Sequence, residues 1–291
     1  MRSDELTDEQ LGAMRARLTA SVPYRIAFED EAFMTSAALR PVRLQLELLK
    51  PEHYLHHYRV DSTVVLFGSA RMVSRAVALK ELERAEQRAR TQPEDEQMAQ
   101  ELRRARKRIE YSRYYEEARR FSSLISQRFQ RDSPCHFVVV TGGGPGIMEA
   151  GNRGAYDVGA MSVGLNITLQ REQEPNPYIS PELCFHFHYF ALRKMHFMMR
   201  ARALVAFPGG FGTLDELYEA LTLTQTQKVD PMPIVLVGKE FWSKAINIDF
   251  LIEEGMISAR DKDLMTIVET AEEIVEILER FYPNDSEGRC S

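Results

Sequence analysis

The sequence predicts an α/β fold: a doubly wound parallel sheet covered on both faces, with a helical extension before it and a helical hairpin inserted after the first strand. Three observations carry that expectation. Short apolar runs of strand length alternate with helix-patterned segments from about residue 61 to residue 283. Three of those runs leave into loops rich in Gly or Ser, "FGSAR", "TGGGPG" and "FPGGFGT". Charges of both signs crowd residues 75–112, outside the alternation.

In chain order, residues 1–60 read as helical. "EDEAFMTSAALR" and "VRLQLELLKPEHYL" have helix-like apolar spacing and are separated by Pro41. "TVVLFGSA", 63–70, is a buried strand with its exit loop. The charged stretch 75–112 reads as two exposed helices broken at Thr91, Gln92 and Pro93. A solvated face is its ordinary meaning; a partner-binding arm is the alternative. "YYEEARRFSSLISQRF", 114–129, is a core helix postponed by the insertion. "HFVVVTGGG" is a strand, followed by the helix "GIMEAGNRGAYDVG" with small residues at 150, 151, 154 and 155 for close packing. "MSVGLNI" is a strand. "CFHFHYF" alternates and runs into a helix over 190–202. "ALVAFPGG" is a strand, and residues from Thr213 form a helix with Leu214, Leu217, Tyr218 and Leu221 on one apolar face. "PIVLVG" is a strand followed by helix to about 254. "LMTIVE" and "TAEEIVEILERFY" are the last strand and helix, and 284–291 is a flexible tail.

The 291 residues are 44% hydrophobic and 27% charged, in the range of ordinary soluble globular proteins. The formal net charge of −6 argues against a general nucleic-acid binder but not against a site for one small phosphorylated molecule. No apolar run is long enough for a membrane span, and "MRSDELTDEQ" lacks the apolar core of a signal peptide. Cys135, Cys184 and Cys290 are odd in number and widely spaced, so neither a disulfide framework nor a zinc pattern follows, and a cytoplasmic location is expected.

Ligands of open parallel sheets bind outside the carboxyl ends of the strands, so the three Gly- or Ser-bearing exits should gather at one edge. "TGGGPGIME" is neither known phosphate loop. The dinucleotide fingerprint begun at Gly142 needs Gly where Ile147 stands; begun at Gly144 it needs Gly where Glu149 stands. No Gly-Lys-Ser/Thr triplet supports a P-loop. "PGGFGTLDE" has two readings. Thr213 and Glu216 have capping-box spacing. Gly209, Gly210 and Gly212, crowded before a helix start, also leave a backbone that an anion can approach closely.

"PGGFGTLDE", 208–216, resembles the P-G-G-x-G-T-x-x-E signature of the Lonely Guy (LOG) family. "LRKMHFM", 192–198, is similar to its Arg-Lys element, and "FGSAR", "TGGGPGIMEAGNRGA" and "VGLNITLQREQEPNPY" resemble further family segments. The resemblance covers roughly residues 61–281. It implies a Rossmann-like fold and a phosphoribohydrolase, which cleaves a nucleoside 5′-monophosphate to free base and ribose 5-phosphate. The substrate class is a cytokinin nucleotide or a general nucleotide such as AMP. Homodimers or larger assemblies are implied. The N-terminal helices and the 75–112 insertion depart from the plant-type pattern and resemble a longer bacterial subgroup.

The resemblance assigns catalytic roles to Glu216 and Arg193. Breaking an N-glycosidic bond builds positive charge on the ribose, which a nearby carboxylate stabilises while accepting a proton from water. Arg193 stays charged and would hold phosphate or orient the sugar or base. Gly209, Gly210, Gly212 and Thr213 would meet the 5′-phosphate. Ser69, Arg71, Gly143, Gly144, Glu149, Asn166 and Lys194 are further expected substrate contacts. His186 and His188 alternate, so a metal pair is conceivable, but without a third ligand they read as packing residues. No metal or organic cofactor is expected, nor a nucleic-acid or membrane partner. The competing readings are a pyridoxal-phosphate lysine decarboxylase, for which no Schiff-base lysine stands out, and a non-catalytic carrier of nucleotide or molybdenum cofactor.

Overall fold

The computed structural model describes residues 6–92, 94–130, 136–168 and 174–283. Pro93, Cys135, Cys290 and the expected tail 284–291 lie outside the described residues. The chain divides into two compact units, Met1–Leu49 and Lys50–Ser291. Residues 50–60, read as part of the N-terminal extension, fall in the larger unit.

The smaller unit is helical, as its sequence pattern predicts. Helix α1 (Asp8–Thr19) starts at a capping box between Thr7 and Gln10, and α2 (Glu31–Thr35) is capped by the Asp30 carboxylate. Arg43 Nη1 donates to the carbonyls of Met34 and Ser36, both at 2.7 Å, which closes the turn after α2. Helix α3 (Arg40–His57) contains Pro41 in its first turn, where a missing N–H leaves no hydrogen bond unmade. Pro41 therefore helps start a helix. The division between the units falls within α3.

The larger unit is a seven-stranded sheet of β1 (Thr63–Phe67), β2 (Val138–Thr141), β3 (Ser162–Ile167), β4 (Cys184–Phe187), β5 (Ala201–Ala206), β6 (Ile234–Val237) and β7 (Thr266–Val268). Every pairing is parallel, and the spatial order is β4-β3-β2-β1-β5-β6-β7. Strands β1, β2 and β6 are buried along their whole length, which is why they read as unbroken apolar runs. Alternate side chains feed opposite faces. Val65 and Phe67 pack with Phe197, Leu217 and Trp242, whereas Val64 and Leu66 pack with Tyr115, Phe121, Ile125 and Ile274.

The helices that follow β1 are α4 (Arg75–Thr91), which packs on α5, and then α5 (Glu96–Phe129), α6 (Ile147–Tyr156), α7 (Phe190–Met199), α8 (Phe211–Gln225), α9 (Lys239–Ala245), α10 (Ile248–Glu253) and α11 (Ala271–Phe281). The small residues of α6 serve close packing as expected. A Cβ at Gly154 would collide with the Arg119 carbonyl of α5, and Ser123 Oγ donates to the Gly154 carbonyl at 2.8 Å.

Four expectations need correction. The second arm of the insertion and the helix 114–129 are one helix, the 34-residue α5. Its second half is core, with Tyr115, Ala118, Phe121 and Ile125 buried; its first half pairs with α4 through the buried Ala78, Ala85 and Ala105. Helix α7 stops at Met199 because β5 begins at Ala201. His186 and His188 are not packing residues: both are exposed, since Phe185 and Phe187 occupy the buried side. Finally, Tyr218 is 42% exposed and leaves the apolar face of α8 to Leu214, Leu217 and Leu221. Among the described residues, no group of three or more potential ligands could hold a metal, and no helix is long and apolar enough to cross a membrane.

The topology fixes where a ligand can enter. From β1 the chain moves outward through β2, β3 and β4, then returns to β5 on the other side of β1. The loops leaving β1 and β5 therefore diverge and leave a crevice between them. Phe207 N donates to the Phe67 carbonyl at 2.8 Å and Ser69 N to the Pro208 carbonyl at 3.0 Å, so the two exits separate only past these bonds.

Candidate active site

Helix α8 opens this crevice. Its N-cap is Gly210, and no side chain caps it. The capping box expected of Thr213 and Glu216 is not formed, because the helix starts at Phe211, two residues before Thr213. Thr213 is then the third helical residue and Glu216 lies in the second turn, free of the helix end. The N–H groups of residues 211–213 precede the first intrahelical bond, which Leu214 N makes to the Gly210 carbonyl at 3.0 Å. They point out of the helix end, where the macrodipole favours an anion. A Cβ at Gly210 or Gly212 would meet nothing, so the backbone there faces open space.

That space is a cavity of about 990 Å³. Of the residues expected at the site, Ser69, Arg71, Arg193, Gly209, Gly210, Gly212, Thr213 and Glu216 line it. Arg193 comes from α7 and Glu216 from α8, and Arg193 Nη2 lies 3.3 Å from Glu216 Oε1. Both side chains are largely out of water, with 14% and 8% of their surface exposed. The guanidinium lies 4.9 Å from the ring centre of Phe190 and 5.6 Å from that of Phe197, which restrains its plane. Arg193 Nε is buried without a hydrogen-bond partner among the described residues, so one donor is left for a ligand.

Burial dominates the electrostatics. It pushes the Glu216 carboxyl up from its ordinary value to about 7, against the pull of Arg193 and Lys194. Burial also draws the Arg193 guanidinium below its ordinary value, although Glu216 opposes this. An arginine so shifted is still a cation near neutral pH. Glu216 is then divided between acid and carboxylate, where a group can both take and return a proton.

The structure does not bring five of the expected contacts into the cavity wall. Lys194 turns to α8 instead, with Nζ 3.0 Å from Asp215 Oδ1 and 3.0 Å from Glu219 Oε2. Adjacent helix positions diverge by about 100°, so Lys194 does not follow Arg193 into the cavity. Gly143 and Gly144 are held by Asn176, whose Nδ2 donates to both carbonyls at 3.1 Å. Glu149 accepts from Tyr115 Oη at 2.6 Å, and Asn166 Nδ2 donates to the Phe185 carbonyl at 3.1 Å. From that second loop it is Gly142 and Met148 that reach the cavity.

Other lining residues lie outside the expected set. Phe67, Met72, Met148, Phe197 and Phe241 form an apolar part of the wall. Arg104, Lys107, Arg108 and Tyr111 of α5 also line it. Their spacing of 0, 3, 4 and 7 marks one helix face, a signal present in the sequence but concealed within a stretch charged all round.

The chain is similar to known proteins. The model of the family described as "possible lysine decarboxylase" matches residues 148–278. The cytokinin riboside 5′-monophosphate phosphoribohydrolase LOG3 of Arabidopsis thaliana is 30% identical over 149 residues, 50% of this chain and 68% of that protein. The probable cytokinin riboside 5′-monophosphate phosphoribohydrolase LOGL3 of Oryza sativa subsp. japonica is 30% identical over 151 residues, 50% of this chain and 69% of that protein. A solved molybdenum-cofactor carrier protein of Chlamydomonas reinhardtii aligns with 76% of this chain and 98% of its own at 14% identity and a TM-score of 0.44. The decarboxylase description would require a lysine poised for a Schiff base. Lys107 lines the cavity, but it is exposed, and its hydrogen bond to Glu110 holds its ammonium above the ordinary value. A Schiff-base lysine is a desolvated one, and the exposed, ion-paired Lys107 does not supply it. With its signature folded around a cavity at the β1/β5 switch point and its relatives matched over two thirds of their length, the chain belongs to the Lonely Guy (LOG) family.

Proposed function

We propose that the protein hydrolyses the N-glycosidic bond of a nucleoside 5′-monophosphate to free base and ribose 5-phosphate. The observation that carries this reading is the buried Arg193–Glu216 pair, 3.3 Å apart, in the same cavity as the uncapped N-terminus of α8. The 5′-phosphate accepts from the backbone N–H groups of residues 211–213 and from the Ser69 and Thr213 hydroxyls. The ribose then lies towards Glu216. As the bond from C1′ to the base nitrogen breaks, its electron pair leaves with the base and the ribose gains oxocarbenium character. The Glu216 carboxylate stabilises that charge and takes a proton from the water whose oxygen bonds to C1′. The proton returns to the departing base through solvent or the protonated Glu216. Arg193 holds the Glu216 carboxylate with one nitrogen and offers its buried Nε to the substrate. Phe67, Met148 and Phe197 supply an apolar wall for the base.

The test is chromatography of products from purified protein incubated with AMP, GMP, CMP, UMP and a cytokinin riboside monophosphate, beside Glu216→Gln. Free base with equimolar ribose 5-phosphate, lost in a variant that still binds nucleotide, is the expected result. Nucleotide binding with no base release from any of them would overturn hydrolysis and leave a carrier.

A further inference from the structure

The lining of the cavity carries more positive charge than one phosphate monoester uses. Five cations, Arg71, Arg104, Lys107, Arg108 and Arg193, face it beside one carboxylate, Glu216, in a chain whose formal net charge is −6. Arg193 is engaged by Glu216, and the α8 N-terminus already provides an anion site. The other four cations stand apart from that pair. Arg108 is paired with Glu81 at 2.5 Å and Lys107 with Glu110, both at the surface, where such pairs hold weakly and yield to a stronger anion. Among the described residues neither Arg71 nor Arg104 is in an ion pair, so neither guanidinium is held by a carboxylate. Arg104, Lys107 and Arg108 share one face of α5 because the helix runs unbroken from the core into the hairpin, and Tyr111 continues that face. The cavity, at about 990 Å³, is at the upper end of the range for small-molecule sites and has room beyond a monophosphate.

We propose that the basic face of α5, with Arg71, forms a subsite for a second phosphoryl group, so that nucleoside 5′-diphosphates and triphosphates bind this cavity in competition with the monophosphate and more tightly than it does. The subsite rests on the reading of the cavity as a nucleotide site. It gives the hairpin a role in ligand choice and leaves the bond-breaking pair unchanged. Planar guanidinium groups suit phosphoryl oxygens, and a pair of them outside any ion pair is the feature a longer phosphate chain would engage.

The test is calorimetric titration of full-length Glu216→Gln protein with AMP, ADP and inorganic pyrophosphate, in that background alone and with Arg104→Ala plus Arg108→Ala added. Circular dichroism checks that each variant is folded. ADP should bind about tenfold more tightly than AMP, the size of one charge-assisted hydrogen bond. The added substitutions should reduce that preference below about threefold and leave AMP affinity unaltered. Arg104→Ala alone, which breaks no ion pair, should give part of the same loss. Equal affinity for AMP and ADP before those substitutions would overturn the subsite, as would a loss that falls equally on all anions, which is long-range steering. If neither nucleotide binds yet pyrophosphate does and Arg104→Ala abolishes it, the face of α5 is an anion site but both the nucleotide reading and its second-phosphoryl subsite are overturned. If none of the three binds, both fall.

Discussion

Two glycine-rich loops leave neighbouring parts of the same sheet edge, and on paper they are alike. "TGGGPG" follows β2 and "PGGFGT" follows β5; each joins a strand to a helix, the first with four glycines and the second with three. In the folded chain they do opposite things. After β2, Gly146 has a φ of +73°, and a Cβ there would strike the backbone of Ser69 and Ala70; Gly143, also at +73°, lies against Asn166. Asn176 ties down the carbonyls of Gly143 and Gly144 from the far side. After β5, Gly210 and Gly212 face open cavity. Gly143 and Gly146 let protein approach protein, whereas Gly210 and Gly212 leave backbone that a ligand can approach. A glycine count cannot tell these apart; what the missing Cβ would have met does.

The largest effect should come from the open side. Glu216→Gln is expected to lower kcat by roughly 10²–10⁴-fold, the usual worth of a positioned proton acceptor, with substrate still bound. Base release followed by chromatography measures this. On the closed side, Gly146→Ala should cost about 3 kcal/mol or more in urea unfolding, because it combines a left-handed backbone with a clash against the main chain. If Gly146→Ala were as stable as the natural protein, the distinction between the loops would be lost.

The pH dependence sharpens the open side further. Burial raises the folded-state pKa of Glu216 from 4.5 to about 7, so this group favours the folded state fully below pH 4.5. That contribution is lost as pH rises from about 4.5 through about 7, over which the slope amounts to as much as about 3 kcal/mol. Thermal melts from pH 4 to pH 9 should show this slope in the natural chain and a flatter profile in Glu216→Gln. Independently, kcat/KM should climb with an inflexion near pH 7 if the carboxylate is the working form. A pH-independent rate between 5 and 8 would remove Glu216 from proton transfer.

Smaller effects complete the comparison. Gly212→Ala should leave the fold intact and stabilise it by up to about 1 kcal/mol, since alanine is the better helix former, yet raise KM by filling the phosphate approach. Any loss of stability would mean that Gly212 is a packing glycine, as Gly209 is against Thr213. Lys194→Ala should act least, moving the kcat/KM inflexion upward by a few tenths of a pH unit, because Lys194 favours the Glu216 carboxylate without lining the cavity. A collapse of activity with no change in the pH profile would instead make Lys194 a direct contact.

Much of this molecule could be read before it was folded. The strands were legible because a parallel strand covered on both faces has no polar side, which leaves runs such as "TVVLF" and "IVLV". Arg193 and Glu216 were legible through a spaced signature rather than through chemistry. The start of α8 was misread because Thr-x-x-Glu has capping-box spacing wherever it occurs, and two residues decide whether it caps a helix or stands inside one. Arg104, Lys107 and Arg108 were hidden for a related reason. In a segment dense with both charges, the face that lines a cavity and the face that meets water have the same composition.

The sequence by itself determined the class of fold, the sheet edge that carries the glycine-rich exits, and the motifs that single out Arg193 and Glu216. These follow from local hydrophobic pattern and from short motifs, in which every participant is near its neighbours along the chain. The tertiary structure decided which glycine loop is open, which basic face of a 34-residue helix reaches the cavity, and how far burial moves Glu216. Each of those depends on atoms contributed by elements distant in sequence, Asn176 against Gly143, α5 against the β5 exit, Arg193 against Glu216, and no local pattern records the meeting of such pairs.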